Sequence, residues 1–208
     1  PQFPGKNLRP IALDLTDFAA LKQFNALLER EKPEIALLIN NAGFGKLCDF
    51  ATSDVASQTA MIDLNCRALT AVTRYSLPYM KTGGLILNIS SIASFAPTPR
   101  MAVYCSTKAY VQSFSRALRE ELKSKKINVL AVCPGPMITE FWQVAARPTH
   151  KSRTLDMLPH QSPAKMATCA LKAGLKGKSA CTMGGFYKFY RFLAHILPKS
   201  LLMKWTKC

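Results

Sequence analysis

Short apolar runs alternate with amphipathic stretches of helical length along this chain, and no other feature narrows its possible folds as far. Residues 8–13, 35–39, 85–90 and 128–133 are too short for typical helices and read as strands, the later two as strands buried on both faces. Residues 18–30, 54–80 and 101–123 carry helical spacing; in the last, Val103, Tyr110, Val111, Phe114 and Leu118 supply the apolar positions. Strands alternating with helices of this length predict an α/β chain built from βαβ units around a parallel sheet, with a last strand near Ala180.

Polar groups gather where those runs end, at the carboxyl ends of strands, which is where open parallel sheets bind ligands. Asn40-Asn41-Ala42-Gly43 follows the 35–39 run, Ser91 the 85–90 run, and Pro134-Gly135 the 128–133 run. Tyr104 and Lys108 lie one helical turn apart, so they share a face. A free phenol has a pKa of about 10, and an adjacent cation lowers it, which suits the pair to general acid–base work. With Ser91 thirteen residues upstream, the set suggests carbonyl/alcohol redox chemistry. The spacing alone also fits an ordinary tyrosine and lysine on a half-exposed helix. Ser90 and Ser94 compete with Ser91; adjacent residues in an extended chain point to opposite sides, so only one of Ser90 and Ser91 can face a substrate.

From about Leu8 to Ala180 the chain resembles the short-chain dehydrogenase/reductase family, through four blocks in order: Asp14-Leu-Thr-Asp17, Asn40-Asn-Ala-Gly43, Ser91 with Tyr104 and Lys108, and Pro134-Gly135 followed by Thr139. The resemblance implies a Rossmann-like, doubly wound parallel sheet forming one domain over 1–208. It implies NAD(P)-dependent hydride transfer with Tyr104 as proton donor or acceptor, and its interval selects Ser91 as the group that bonds the substrate oxygen. Lys108 would bind the nicotinamide ribose, and Asn65 would hold a proton-relay water. Asp14 and Leu15 match the adenine contacts; Asn40, Ala42 and Gly43 match the turn along the adenosine ribose; Pro134, Gly135, Met137 and Thr139 match the loop that holds the carboxamide. For each, a strand-end turn or helix cap is the alternative reading. NADP is preferred over NAD by likeness to the family's reductases. The helices at 54–80 and 101–123 match those that pair subunits, which implies a homodimer or homotetramer.

One block of the family pattern is missing. No glycine-rich turn of the kind that cradles a pyrophosphate precedes Asp14, so the sheet is expected to be N-terminally incomplete, its first βαβ unit absent. Two readings follow: a fragment of a longer chain, or a shortened, non-catalytic relative acting at a membrane surface or in a subunit contact. Residues 136–161 match the substrate lid. Its Phe141, Trp142, Met157 and Leu158 imply an apolar substrate, while Arg147, Lys151 and Arg153 suit either an anionic group or solvent.

Charge separates the tail from the rest. Residues 141–208 hold twelve Lys or Arg against one acid, Asp156, out of a net +16 for the chain. In the 186–208 tail, Phe186, Phe189, Tyr190, Leu193 and Leu197 share one helical face, with Lys188, Arg191 and His195 largely off it. A basic amphipathic helix with aromatics suits a membrane surface, a face of its own domain or a partner subunit. The tail resembles bacterial reductases and, more distantly, membrane-bound steroid and 3-ketoacyl reductases, which suits a lipid-, steroid- or acyl-like carbonyl. No recognised motif supports nucleic-acid binding. Seven scattered cysteines without C-x-x-C point to a reducing, cytoplasmic setting, with membrane association open, and neither they nor His150, His160 and His195 have metal-ligand spacing.

Overall fold

The computed structural model describes residues 5, 7–139, 141 and 157–205. Its elements run α1 (Phe18–Glu31), β1 (Ile35–Asn40), α2 (Val55–Ile62), a π-helical segment (Asp63–Ala68), α3 (Leu69–Ser76), β2 (Met80–Ile89), α4 (Ala102–Glu121), β3 (Asn128–Val132), α5 (Pro163–Leu175), β4 (Ala180–Cys181), α6 (Gly185–Ile196) and α7 (Lys199–Trp205). The four strands are parallel in the order β1-β2-β3-β4.

Period-two alternation on the central strands builds two cores. Leu85, Leu87, Leu130 and Val132 face α5 through Met166, Ala170 and Ala173. Ile86 and Val129 face the other way, onto Leu118 and Leu122 at the end of α4. Helices on both faces of a parallel sheet make the doubly wound, Rossmann-like arrangement. α5 begins where Ser162 caps Lys165 and Pro163 takes the first turn, and it ends beside Gly174, where an added Cβ would lie 2.6 Å from the Leu85 side chain. α4 puts Tyr104, Thr107, Lys108, Val111, Ser115 and Leu118 on its buried side, while Tyr110 is exposed.

A buried amide chain fixes the register of β1. Asn40 Nδ2 donates to Asn88 Oδ1 (2.8 Å) on β2 and to Thr73 Oγ1 (2.9 Å) on α3. Asn88 Nδ2 donates in turn to Ser115 Oγ on α4 (2.9 Å), whose hydroxyl returns to the Val111 carbonyl (2.6 Å). Every polar member has a partner, the condition under which such a network holds elements rigidly.

Three expectations need correction. Residues 8–13 form no strand; Leu8 and Ile11 are 67% and 47% exposed. A strand needs a neighbour, and no described strand lies on the outer side of β1, where Leu37 (40%) and Ile39 (49%) are also exposed. The predicted 54–80 helix is divided by its π segment and gives way to β2 at Met80, five residues before the expected strand start. Gly83, at φ +80°, lets that early part of β2 turn as only glycine does at no cost.

The tail packs on its own domain, with a rotated face. Tyr187, Ala194 and Leu202 are buried, and Tyr190 meets Phe95 at 6.0 Å between ring centroids. Lys199 Nζ donates to the carbonyls of Phe95 and Ala194, each at 2.7 Å. Phe186, Phe189, Phe192 and Ile196 stay outside. Among the described residues no helix is long and apolar enough to cross a membrane.

Candidate active site

The two serines after β2 take opposite duties. Ser90 Oγ donates to the Lys108 carbonyl (2.8 Å) and is buried there, pinning the strand end to α4. Ser91 turns the other way: its Oγ accepts from Ala93 N (3.1 Å), opening a short 3-10 turn on the cavity wall that Tyr104 shares. Ser94 Oγ donates back to the Ser91 carbonyl (2.6 Å), supporting that turn.

Tyr104 is 7% exposed and lies against Phe141, with centroids 5.7 Å apart. Gly45 lets the opposing loop reach it, because an added Cβ would lie 2.8 Å from the ring. Lys108 is buried under the same ring, its Nζ 5.8 Å from the centroid and 2.9 Å from the Ile89 carbonyl to which it donates. An ammonium has three donors, so one bond to Ile89 leaves capacity facing the loop at Gly43, whose hypothetical Cβ would sit 3.3 Å from Nζ.

Burial sets the titration of this pair. It pushes the Tyr104 phenol up to about 12, against a smaller lowering by the Ser91 hydrogen bond. The Lys108 ammonium is pulled down to about 8, again chiefly by burial. The expectation that Lys108 lowers the tyrosine pKa is therefore corrected: here desolvation outweighs attraction.

Asn65 sits in the π segment, 1% exposed. Its Nδ2 donates to the Phe44 carbonyl (2.8 Å) and Thr107 Oγ1 (3.0 Å), and its Oδ1 accepts from Phe44 N (3.0 Å). Thr107 donates on to the Tyr104 carbonyl (2.8 Å), so Asn65 couples the loop after β1 to the turn of α4 that carries the tyrosine. π segments recur at such functional positions.

The loops after β1, β2 and β3 open onto a cavity of about 790 Å³ that Ser91, Tyr104, Lys108, Gly43, Gly135 and Thr139 share with apolar residues of α5 and α6. A phenol, a hydroxyl and an ammonium thus stand on one wall of a large apolar space. This is a site that can exchange a proton with an oxygen held inside hydrocarbon.

The relatives agree. A family model for short chain dehydrogenase matches residues 2–149. The chain belongs to the short-chain dehydrogenase family. It is 37% identical over 138 residues to the NADP-dependent 3-hydroxy acid dehydrogenase of Schizosaccharomyces pombe, covering 64% of this chain and 52% of that one. It is 33% identical over 184 residues to the very-long-chain 3-oxoacyl-CoA reductase of Anas platyrhynchos, covering 84% and 56%. Among solved structures, a short-chain dehydrogenase from Sphingobium yanoikuyae in complex with NADPH superposes with a TM-score of 0.73 at 27% identity, over 92% of this chain and 73% of that one. The chain spans about half the length of the first curated relatives it matches.

Within this short-chain dehydrogenase fold, the residues matched to cofactor contacts separate into two groups. Gly43, Pro134, Gly135, Met137 and Thr139 line the cavity with Tyr104 and Lys108. Asp14, Leu15, Asn40 and Ala42 do not. Asp14 is exposed and accepts from Thr16 N (2.8 Å) and Oγ1 (2.7 Å), bonds that hold its carboxyl below the usual range. Asn40 commits its amide nitrogen to Thr73 and Asn88, so its contribution is to register rather than to the cavity wall. Most of the lid, including Trp142, Arg147, Lys151 and Arg153, lies outside the described residues.

Three contributors escaped the sequence reading. Asn41 lines the cavity beside Gly43. Gln161 clamps the loop after β3, accepting from Gly135 N (2.9 Å) and donating to the Met183 carbonyl (2.6 Å). Tyr187 fills the space over Gly135, where an added Cβ would be 2.6 Å from its ring, and donates to the Pro159 carbonyl (2.6 Å). The only signal was the residue types themselves: a glycine beneath an aromatic, and a glutamine near a strand end.

Proposed function

We propose that the protein is an NADP-preferring, NAD(P)-dependent oxidoreductase that interconverts a carbonyl and a secondary alcohol on an apolar, lipid- or acyl-like molecule. The observation that carries this is the placement of Ser91, Tyr104 and Lys108 together on the wall of the 790 Å³ cavity, with the Lys108 ammonium buried under the Tyr104 ring. The nicotinamide, when bound, supplies or accepts the hydride.

This chain's residues do the rest. Tyr104, a phenol held protonated by burial, donates its proton to the carbonyl oxygen in the reducing direction and takes it back from the alcohol in the other. Ser91 Oγ, on the same cavity wall, holds the same oxygen in line. Lys108 has donors left for a ribose hydroxyl, and its charge favours the phenolate as the proton leaves. Asn65 keeps the loop and the α4 turn in register, the place from which it would also hold a relay water. Gly135 and Gln161 fix the loop that carries Met137 and Thr139, which suit the carboxamide. The donor set fits the nicotinamide end of a dinucleotide. The pyrophosphate end finds no glycine-rich turn among the described residues.

NADP is favoured by the names of the yeast relative and of the NADPH-bound structure. An apolar substrate is favoured by the cavity wall, where Met166, Leu171, Phe186 and Leu193 extend it away from Tyr104. The exposed Tyr110 stacks on Phe114 at 5.9 Å on the outer face of α4, which suits pairing of two copies as a homodimer or homotetramer. The test is the full-length protein with NADPH and a panel of 3-oxoacyl, steroid and short polar carbonyls, beside Tyr104→Phe. Turnover of the apolar carbonyls that Tyr104→Phe abolishes supports the reading. Turnover indifferent to that change rules out the mechanism.

A further inference from the structure

A second cleft, of about 590 Å³, lies at the β4 edge of the sheet, between that strand and the outer sides of α5 and α6. Its wall brings together Lys178, Lys188, Arg191 and His195, with Phe192 beside them and Cys169, Cys181 and Thr182 at the strand. No Asp or Glu lines it, and among the described residues Lys178, Lys188 and Arg191 are in no salt bridge. The surroundings offer little relief, since residues 141–208 hold twelve Lys or Arg against Asp156 alone. Like charges gathered at a low-dielectric wall repel, and an anion between them adds attractive terms that offset this repulsion.

A second observation points the same way. Thr182 is 6% exposed, and its Oγ1 is buried without any hydrogen-bond partner. A hydroxyl left unpaired costs about 1–3 kcal/mol. Its position on the cleft wall means that a small shift toward an oxygen acceptor would satisfy it.

We propose that this cleft binds a phosphate-bearing ligand. A phosphoryl group carries about two negative charges and three acceptor oxygens, matching several cations and a hydroxyl better than a single carboxylate would. Arg191 can bond two of the oxygens at once, while Lys188 and Lys178 contribute as point charges. The volume exceeds that of a phosphate alone, so the natural ligand is an ester. It can be a soluble one, or a phospholipid headgroup, whose chains would meet Phe189, Phe192 and Ile196 on the exposed side of α6. The site stands apart from the oxidoreductase reading: β4 and β1 are opposite edges of the sheet, and a dinucleotide's phosphates would approach from the β1 side.

The experiment titrates inorganic phosphate into the full-length protein by calorimetry at constant ionic strength. It compares wild type with Lys188→Gln/Arg191→Gln, with Thr182→Val, and with a control, Lys81→Gln/Lys123→Gln, that removes equal charge far from the cleft. The expected result is saturable binding, weakened about tenfold or more by the cleft pair and measurably by Thr182→Val, and unchanged in the control. Sedimentation with phosphatidylcholine vesicles, with and without phosphatidic acid, identifies the source: cleft-dependent binding only to the anionic vesicles makes it a lipid headgroup, and no vesicle binding makes it a soluble ester. Phosphate affinity that is absent, indifferent to the cleft pair, or equally reduced in the control overturns the proposal. Melting curves in chloride confirm that each variant is folded.

Discussion

Ser90 and Ser91 are adjacent, yet one is bound to the helix backbone and the other caps the short turn on the cavity wall beside Tyr104. Their substitutions should therefore separate. Ser90→Ala should cost about 1–2 kcal/mol in denaturant stability and leave activity largely intact, since it removes one buried bond to the Lys108 carbonyl. Ser91→Ala should leave stability near wild type and lower kcat/KM. Tyr104 offers a pH test with a definite sign. Its pKa rises from 10 unfolded to about 12 folded, so its contribution is fully present below pH 10 and is lost as pH climbs through 12. Two units correspond to up to about 3 kcal/mol. Stability measured from pH 9 upward should thus fall more steeply in wild type than in Tyr104→Phe; parallel curves would contradict the burial of the phenol. Neither the division of labour between the serines nor the raised pKa was readable from spacing, because both depend on which groups exclude water from Tyr104. Spacing alone pointed to Lys108 as the dominant influence.

At the scale of elements, β2, β3 and α4 were legible because their apolar periods are local and strong. The 8–13 run failed for the converse reason: its residues favour a strand, but a strand exists only with a hydrogen-bonded neighbour, and pairing is not a local property. The π segment left no mark on the sequence beyond a continuous helical pattern, although it carries Asn65. Asn40 shows how a residue type with two common uses is read correctly in place and differently in role, since its amide ties β1 to β2 and α3. Asn88→Ala should destabilise the protein by about 1–3 kcal/mol, by removing one acceptor of Asn40 Nδ2 and the donor to Ser115 Oγ at a buried position, with a matching drop in the unfolding midpoint. Gly135→Ala should cost about 1–3 kcal/mol, because its new methyl group meets the Tyr187 ring. If thermal melts show either variant as stable as wild type, the corresponding packing argument fails.

For the whole molecule, the sheet divides the work. The loops after β1, β2 and β3 and the first turns of α4 line one cavity, α5 and α6 supply its apolar side, and the β4 edge carries a separate basic cleft. On the outer side of β1, Leu37 and Ile39 are exposed and no described strand pairs with it. The cavity wall was legible from three of the four ordered motifs, the Asp14 block lying off it; the clamp by Gln161 and Tyr187 was not, because it joins residues 26 and 52 positions beyond Gly135 through space alone. The proposed reaction turns on the passage of a proton from Tyr104 to a carbonyl oxygen within the apolar cavity. The single-turnover rate of NADPH oxidation by the full-length protein with a long-chain 3-oxoacyl thioester, in wild type and Tyr104→Phe, reads that step, with NADPH binding measured alongside. NADPH binding should be preserved in both and the rate about 10²–10⁴-fold lower in the variant; equal rates in the two proteins would rule the step out.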